Sequence, residues 1–425
     1  MLIIRLALRN ASRNTRRTAL TMLTVLLGTM LLTLGMSWVE GIFGSFQIEA
    51  ARSTGHVRVV TQTFAEREML QPLHENLPVT AGLEDTLRAL PGVTEVHPRL
   101  NLGVLAAKDG EELGETVSMV VAAPLAFHRQ ILGLDQRIAQ GGWFSAEDFG
   151  KEALVGRALA SELGLGVGDR LIVLGRTQDG SMSDLLFQVV GITDTGNTLY
   201  DRQIFVDLER GRWIADIPEG ALELLVYGED HKEATELQAV VQQAISGPEV
   251  LASLSLPEGA GLVAQAWNQR EPWTSALVLV DAIAAIIVGC IVFITALGVL
   301  NTMLMSVLER TGEIGVLRAM GLSTLGVVAL FVVEALLISI VGGALGSGIG
   351  SVLSIALEGV GLDLGGAARN LPDTMPVNRI LHPIWAPSQA LKSFLLGLSV
   401  ALVGSSSPAL RAAQIQPVQA MRARR

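Results

Sequence analysis

Four stretches of this 425-residue chain are long, apolar and nearly free of charge, and nothing else in the sequence restricts its folding as much. The hydrocarbon core of a bilayer takes about 20 apolar residues in a helix. Residues 18–39 and 282–308 carry no charge, residues 319–357 carry only Glu334, and residues 387–410 carry only Lys392. The first stretch follows Arg5, Arg9, Arg13, Arg16 and Arg17. A secretory signal would have an apolar region of about 7–15 residues ending in a small-x-small site. Here the run is longer and continues into SWVEGIFGSF, so it reads as a retained anchor. The third stretch has room for one long helix or for two short ones folded at Gly342-Gly343. Charge decides between them. The last stretch is followed by Arg411, Arg422, Arg424 and Arg425, and Lys/Arg-rich flanks stay in the cytoplasm. Both basic ends can be cytoplasmic only if the number of spans is even, which makes the third stretch a single long helix.

The expected organisation runs in order along the chain. Residues 1–17 form a basic amphipathic cytoplasmic helix, 18–40 the first span, 41–275 a large exterior domain and 276–308 the second span. Residues 309–324 make a cytoplasmic helix, 325–357 the third span, 358–386 an exterior loop, 387–410 the fourth span and 411–425 a cytoplasmic tail. Arg5, Arg9, Arg13 and Arg16 share one side of a helical wheel, as expected of a helix lying on anionic headgroups or on a partner. This partition accounts for a chain that is half hydrophobic yet has a net charge of −10. Residues 41–275 hold 17 Lys/Arg against 33 Asp/Glu, a net of −16, whereas the first 17 residues carry +5. The fold class is therefore a four-helix membrane protein with a large α+β extracytoplasmic domain.

In that domain residues 56–64 and 93–107 read as strands, 83–90 as a helix, 158–175 as helix, Gly-rich turn and strand, 185–194 as a strand and 230–245 as a helix. A mixed lobe followed by a smaller β-rich one fits this order. Its five histidines, His56, His74, His97, His128 and His231, form no i,i+3 or i,i+4 pair and no HExxH, and are expected at the surface or at strand ends. The acid pairs Glu111-Glu112, Glu147-Asp148 and Glu229-Asp230 sit in polar turns, where solvated charge explains them. No GxSxG elbow occurs, no catalytic residue is assigned, and the single cysteine, Cys290, excludes a disulfide framework or Cys-based zinc site.

The membrane part holds no dinucleotide site, because GALGSGIG has no βαβ context. Gly342, Gly346 and Gly350 recur every four residues on one face, as close helix packing in lipid requires. No GxxxxGK[ST] is present, so any ATP would be bound by another polypeptide. Glu334 is the one carboxyl deep in an apolar run. Such groups mark a function or a fixed partner, and a protonated or hydrogen-bonded interhelical contact is set against a proton or substrate role, no second intramembrane ionisable group being at hand. In ERTGEIGVLRAMGLS the charges of Glu309, Arg310, Glu313 and Arg318 cancel while Ile314, Leu317 and Met320 supply a small apolar face. The segment reads either as helix-end packing or as a helix that docks into a groove of another protein.

The run NTMLMSVLERTGEIGVLRAMGLS, followed by FVVEALLISIVGGALGSGIG, resembles the permeases of the FtsX/MacB/LolC/LolE superfamily of ABC transporters. The likeness extends to RLALRNASRNTRRTAL, STGHVRVV, ALVGRALASELGLGVGDRL and PALRAAQIQPVQAMR, and so covers nearly the whole chain in order. It implies four spans, porter and sabre lobes outside, and a dimer with a second permease copy or paralogue on two separate ATPases. It places Glu309, Arg310, Glu313, Ile314, Leu317, Arg318 and Gly321 at the ATPase contact, and Glu334 in the third span. Members act as mechanotransmitters. In organisation the chain is similar to the lipoprotein-releasing permeases, which implies extraction of lipoproteins from a bacterial inner membrane toward a periplasmic carrier. Efflux of peptides or antibiotics with a periplasmic adaptor, and an FtsX-like scaffold that activates a cell-wall hydrolase, stand beside that expectation. No cofactor or metal is implied for this chain itself, ATP and Mg belonging to the partner ATPase, and nucleic acid is not among the implied partners.

Overall fold

The computed structural model describes residues 5, 7, 9, 15–110, 115–145, 150–248, 250, 254, 261–271, 273–364 and 378–414. They form two compact units. One comprises Met1–Phe43, Val278–Leu362 and Leu381–Arg425; the other comprises Gly44–Leu277 and Asp363–Ile380. The helices used below are α1 (Thr15–Thr54), α2 (Ala81–Arg88), α3 (Leu208–Ala215), α4 (Ala234–Ile245), α5 (Trp273–Glu309), α6 (Thr311–Ala319), α7 (Thr324–Glu358) and α8 (Pro387–Ala413). The strands are β1 (Val57–Thr61), β2 (Val93–Lys108), β3 (Thr116–Ala123), β4 (Ile138–Gly141), β5 (Glu152–Gly156), β6 (Arg170–Arg176), β7 (Met182–Thr193), β8 (Gln203–Asp207), β9 (Glu223–Gly228) and β10 (Leu262–Ala266).

Helices α1, α5, α7 and α8 are each long and apolar enough to cross a membrane. Helix α7 runs unbroken through Gly342 and Gly343. Small residues hold the first unit together. A Cβ placed on Gly346 would lie 2.0 Å from Thr29 Oγ1 and 2.3 Å from the Leu26 carbonyl oxygen. Gly342 and Gly350 meet the Met22 and Met30 carbonyls at 2.9 Å in the same sense. All three glycines thus open one face of α7 to the backbone of α1, a small-xxx-small contact. Thr29 is fully buried and satisfies its hydroxyl on the Val25 carbonyl of its own helix at 2.8 Å, while its methyl occupies the notch at Gly397 of α8. On another face of α1, Gly28 faces Thr295 of α5 and Thr24 faces Gly298, so α1 touches all three other long helices.

The second unit is built on one ten-stranded sheet with the order β10-β1-β9-β2-β3-β8-β5-β7-β4, in which β6 bridges β2 and β7. The sixteen-residue β2 is the shared element. Its first half pairs with β9, next to β1 and β10, and α2 and α4 supply Leu83, Leu87, Leu237, Val241 and Ile245 to the core there. Its second half pairs with β3 on one side and β6 on the other. From there β3, β8, β5, β7 and β6 return to β2 and close a six-stranded ring without a free edge. Residues 62–64, expected to continue the first strand, instead begin a short helix, Gln62–Glu66, capped by the Thr61 hydroxyl.

Two of the five histidines depart from the sequence expectation, whereas His74 is exposed and His56 directly precedes β1, at a strand end, as expected. His128 has no exposed surface, with Nε2 2.9 Å from the Val206 carbonyl oxygen, and His97 is 8% exposed in the interior of β2. The rings of His56, Tyr227, His97, Phe127 and His128 follow one another with successive centroids 5.5–6.4 Å apart. Apolar and aromatic neighbours, absent from any local spacing, are what draw them inside. Asp230 caps the turn at Lys232 at 3.0 Å, while the pairs at 111–112 and 147–148 lie outside the described residues.

Candidate functional site

The segment singled out in the sequence folds as a short surface helix locked onto the end of the first unit. Helix α5 ends at Glu309 because Arg310 leaves the helical region (φ −110, ψ 19), and α6 begins at the next residue. At the far end Gly321 adopts φ +96, a left-handed conformation that favours glycine, and the Ser323 hydroxyl caps α7 through the Gly326 N–H at 3.1 Å. The result is a tight helix–turn–helix of nine residues between two long helices.

Ile314, read as part of a small apolar face, is 3% exposed. It fills a socket formed by Val307 of α5, Val327 and Phe331 of α7, and Ala409, Ala412 and Ala413 of α8. Leu317 is half-buried. The apolar groups that reach solvent at this end are instead Val316, Met320 (71% exposed) and Leu325 (81%). Arg318 donates to the Ala413 carbonyl at 2.7 Å, at the negative end of α8, so α6 is pinned to a third helix. Glu309 and Gly321 close the two ends of the segment.

Behind α6 lies a chain of charges. Glu334, 0% exposed in α7, accepts from Arg17 Nη2 of α1 at 2.5 Å and from Arg310 Nη1 at 3.2 Å. Arg310 Nε reaches back to Glu313 Oε2 of α6 at 3.0 Å, and its guanidinium stands 5.9 Å over the Phe331 ring. Two cations and two carboxylates alternate from the surface of α6 to the interior and on to α1, and their formal charges cancel. Of the two readings, Glu334 thus takes the hydrogen-bonded interhelical contact, made by arginines that flank the apolar runs. Its position in α7, ten residues beyond Thr324, sits about 15 Å along the helix, yet the long side chains of Arg17 and Arg310 reach it from the flanks of their own spans. The signal was present in the sequence, since a lone carboxylate in an apolar run calls for a cation, but which arginines answer it depends on how the helices pack. Arg17 and Thr29 are the participants that sequence reasoning missed, and residues 10–14 of the basic N-terminal run lie outside the described residues.

Profiles of two known domains cover the chain. The MacB-like periplasmic core domain matches residues 18–244, and the FtsX-like permease C-terminal region matches residues 285–417. Among curated relatives, the macrolide export ATP-binding/permease protein MacB of Nitrobacter winogradskyi is 24% identical over 96% of this chain and 58% of its own length. The lipoprotein-releasing system transmembrane protein LolC of Xylella fastidiosa is 27% identical over 68% of this chain and 69% of its own. The chain therefore spans less than three fifths of the MacB relative. Among solved structures, the periplasmic region of MacB from Actinobacillus actinomycetemcomitans aligns with 54% of this chain and 95% of its own, at a TM-score of 0.35 and 11% identity.

Proposed function

Because the chain belongs to the family of ABC transporter permeases that combine a MacB-like periplasmic core with an FtsX-like membrane region, we propose that it passes ATP-driven motion from a separate ATPase to a periplasmic domain. In this reading two ATPase subunits dock on α6 in the cytoplasm, beneath a pair of permeases formed with a second copy or paralogue. Val316, Met320 and Leu325 supply the apolar contact and Glu313 the polar one. Any tilt of α6 pulls on Arg310, hence on Glu334 and Arg17, and so displaces α7 and α1 together. Helices α1 and α5 contribute residues to both compact units, which offers a covalent route for the motion. The observation that carries the proposal is the charge chain that runs from exposed Glu313 through buried Arg310 and Glu334 to Arg17, behind an exposed apolar tip. In the plane of an inner membrane, with both termini cytoplasmic, the work done outside would be extraction of lipoproteins toward a periplasmic carrier. The balanced mutual coverage with LolC supports that choice of substrate. Macrolide or peptide efflux with a periplasmic adaptor is the second reading, favoured by a MacB match that covers 96% of the chain.

The test is reconstitution in lipid with candidate ABC ATPases. Met320→Asp, at an exposed position, is expected to abolish co-purification of the ATPase while leaving the permease's thermal unfolding unchanged. A complex that forms as before would sink the docking assignment. Lipoprotein release from spheroplasts, compared with macrolide susceptibility of the intact cells, separates the two substrates.

A further inference from the structure

The second unit contains a cavity of about 260 Å³ that the coupling reading does not use. Its polar wall comes from an arginine cluster. Arg58, 1% exposed on β1, pairs with Glu68 at 2.7 Å and with Gln265 at 2.8 Å, and lies 3.7 Å from Glu223 of β9. Arg99 of β2 donates to Glu223 at 3.2 Å and to the Ser53 carbonyl. Arg270 donates through Nη2 to Glu68 at 2.7 Å.

These contacts do not use up the donors. Arg270 Nε and Nη1, Arg99 Nε and the Asn101 side-chain oxygen are all buried without a hydrogen-bond partner, and all three residues line the cavity. Arg99 and Arg270 are 5% and 8% exposed, so water does not substitute freely at those atoms. Buried guanidinium N–H groups are normally satisfied. The charges are also uneven. Three arginines share two buried or half-buried carboxylates, Glu68 and Glu223, and the further carboxylate on the lining, Glu271, is solvent-exposed. One negative charge is missing from the cluster.

The lining also holds the apolar side chains of Met119, Val121, Leu132, Leu222 and Trp273. A cavity lined by two buried guanidiniums with unpartnered N–H groups and by such apolar side chains matches a ligand with a charged head and a greasy body. Its volume falls below the roughly 300–1,000 Å³ of drug-sized pockets, which limits that body to a short chain. We propose that this cavity binds a small organic anion, an oxyanion head (carboxylate or phosphate) carrying a short apolar chain, with Arg270 and Arg99 holding the head. The site's electrostatics agree. Burial, and then the neighbouring charge of Arg58, pull the Arg270 guanidinium down to about 10, a state that a bound anion would reverse. Burial alone would raise Glu223, but Arg99, Arg58 and Arg270 outweigh it and hold the carboxyl at about 2, so Glu223 stays ionised and leaves the remaining donors free for the ligand.

The site stands independently of the coupling reading, and its test is a binding measurement on the full chain in uncharged detergent. Calorimetric titration with hexanoate is expected to show saturable binding, with hexan-1-ol and hexylammonium showing none. Inorganic phosphate, which has the head without the chain, is expected to bind about tenfold more weakly or less. Arg270→Gln is expected to weaken hexanoate about tenfold or more. Met119→Trp fills the apolar side while keeping both guanidiniums, so it reads out the site even where Arg270→Gln disturbs folding; it too is expected to abolish binding. Absence of saturable hexanoate binding overturns the proposal, as does hexanoate binding that either variant leaves unchanged. Phosphate binding as tight as hexanoate's overturns the apolar half of it.

Discussion

Removing one member of a buried ion cluster leaves the others desolvated without the field that offset that cost. Glu334 sits between two guanidiniums, whereas Arg17 has one carboxylate that keeps a second partner, Arg310. Glu334→Gln is therefore expected to destabilise the first unit by about 3–5 kcal/mol, and Arg17→Gln by clearly less, measured as the unfolding temperature in detergent. Equal losses would mean that the three charges do not act as a cluster. His128 offers a second residue-scale reading, in the other unit. Burial holds its imidazole down at about 4, so it is neutral in the folded chain and protonates near its ordinary value of 6.5 once unfolded. A folded value below the unfolded one means full stability above pH 6.5, lost progressively as pH falls toward 4, at about 1.4 kcal/mol per pH unit. His56 is shifted the same way, first by burial and then by His231, and adds a smaller term because it is more exposed. The unfolding temperature of the full chain should fall between pH 7 and pH 5, and His128→Gln should flatten that fall; an unaltered slope would show that another group governs it.

At the scale of elements, what could be read in advance follows a physical rule. The long α7 and the four apolar helices were legible, because hydrocarbon demands about 20 uncharged residues and leaves no alternative backbone structure. The glycine face of α7 was legible too, since Gly342, Gly346 and Gly350 repeat at the spacing of one helix face. Its partner was not. Thr29 of α1 looks like any threonine in an apolar run until α7 and α8 pack on it. Likewise Ile314 and Met320 are alike as hydrophobes, and only the rotation of α6 on the ends of α5, α7 and α8 sends the first inside and the second out. The glycine contact makes a sharp prediction. Gly346→Ala would press a methyl into the Leu26 carbonyl, which is backbone and cannot swing away, whereas Gly348 has nothing within 4 Å of a new Cβ. The first change is expected to cost about 1–3 kcal/mol and the second to leave the unfolding temperature where it was or raise it slightly, since alanine is the better helix former. Comparable behaviour of the two would mean that α7 does not rest on α1 through this face.

For the whole molecule, charge is sorted along the chain, and the sorting carries an orientation. The first 17 residues hold +5 and residues 41–275 hold −16. Basic flanks resist translocation, while an acidic folded domain crosses without that restraint. The orientation proposed above has α6 on the cytoplasmic side, where an ATPase would reach it, and the ten-stranded unit on the far side. It can be checked directly because the chain has a single cysteine, Cys290, in α5. In a Cys290→Ala background, one new cysteine would replace Val117, 78% exposed on β3, and in a second variant another would replace the exposed Ala319 of α6. A membrane-impermeant maleimide added to spheroplasts is expected to label the cysteine at 117 at once and the one at 319 only after the membrane is broken. Immediate labelling at 319 would place α6 outside, away from ATP, and the coupling route through Arg310 and Glu334 would then have nothing to drive it.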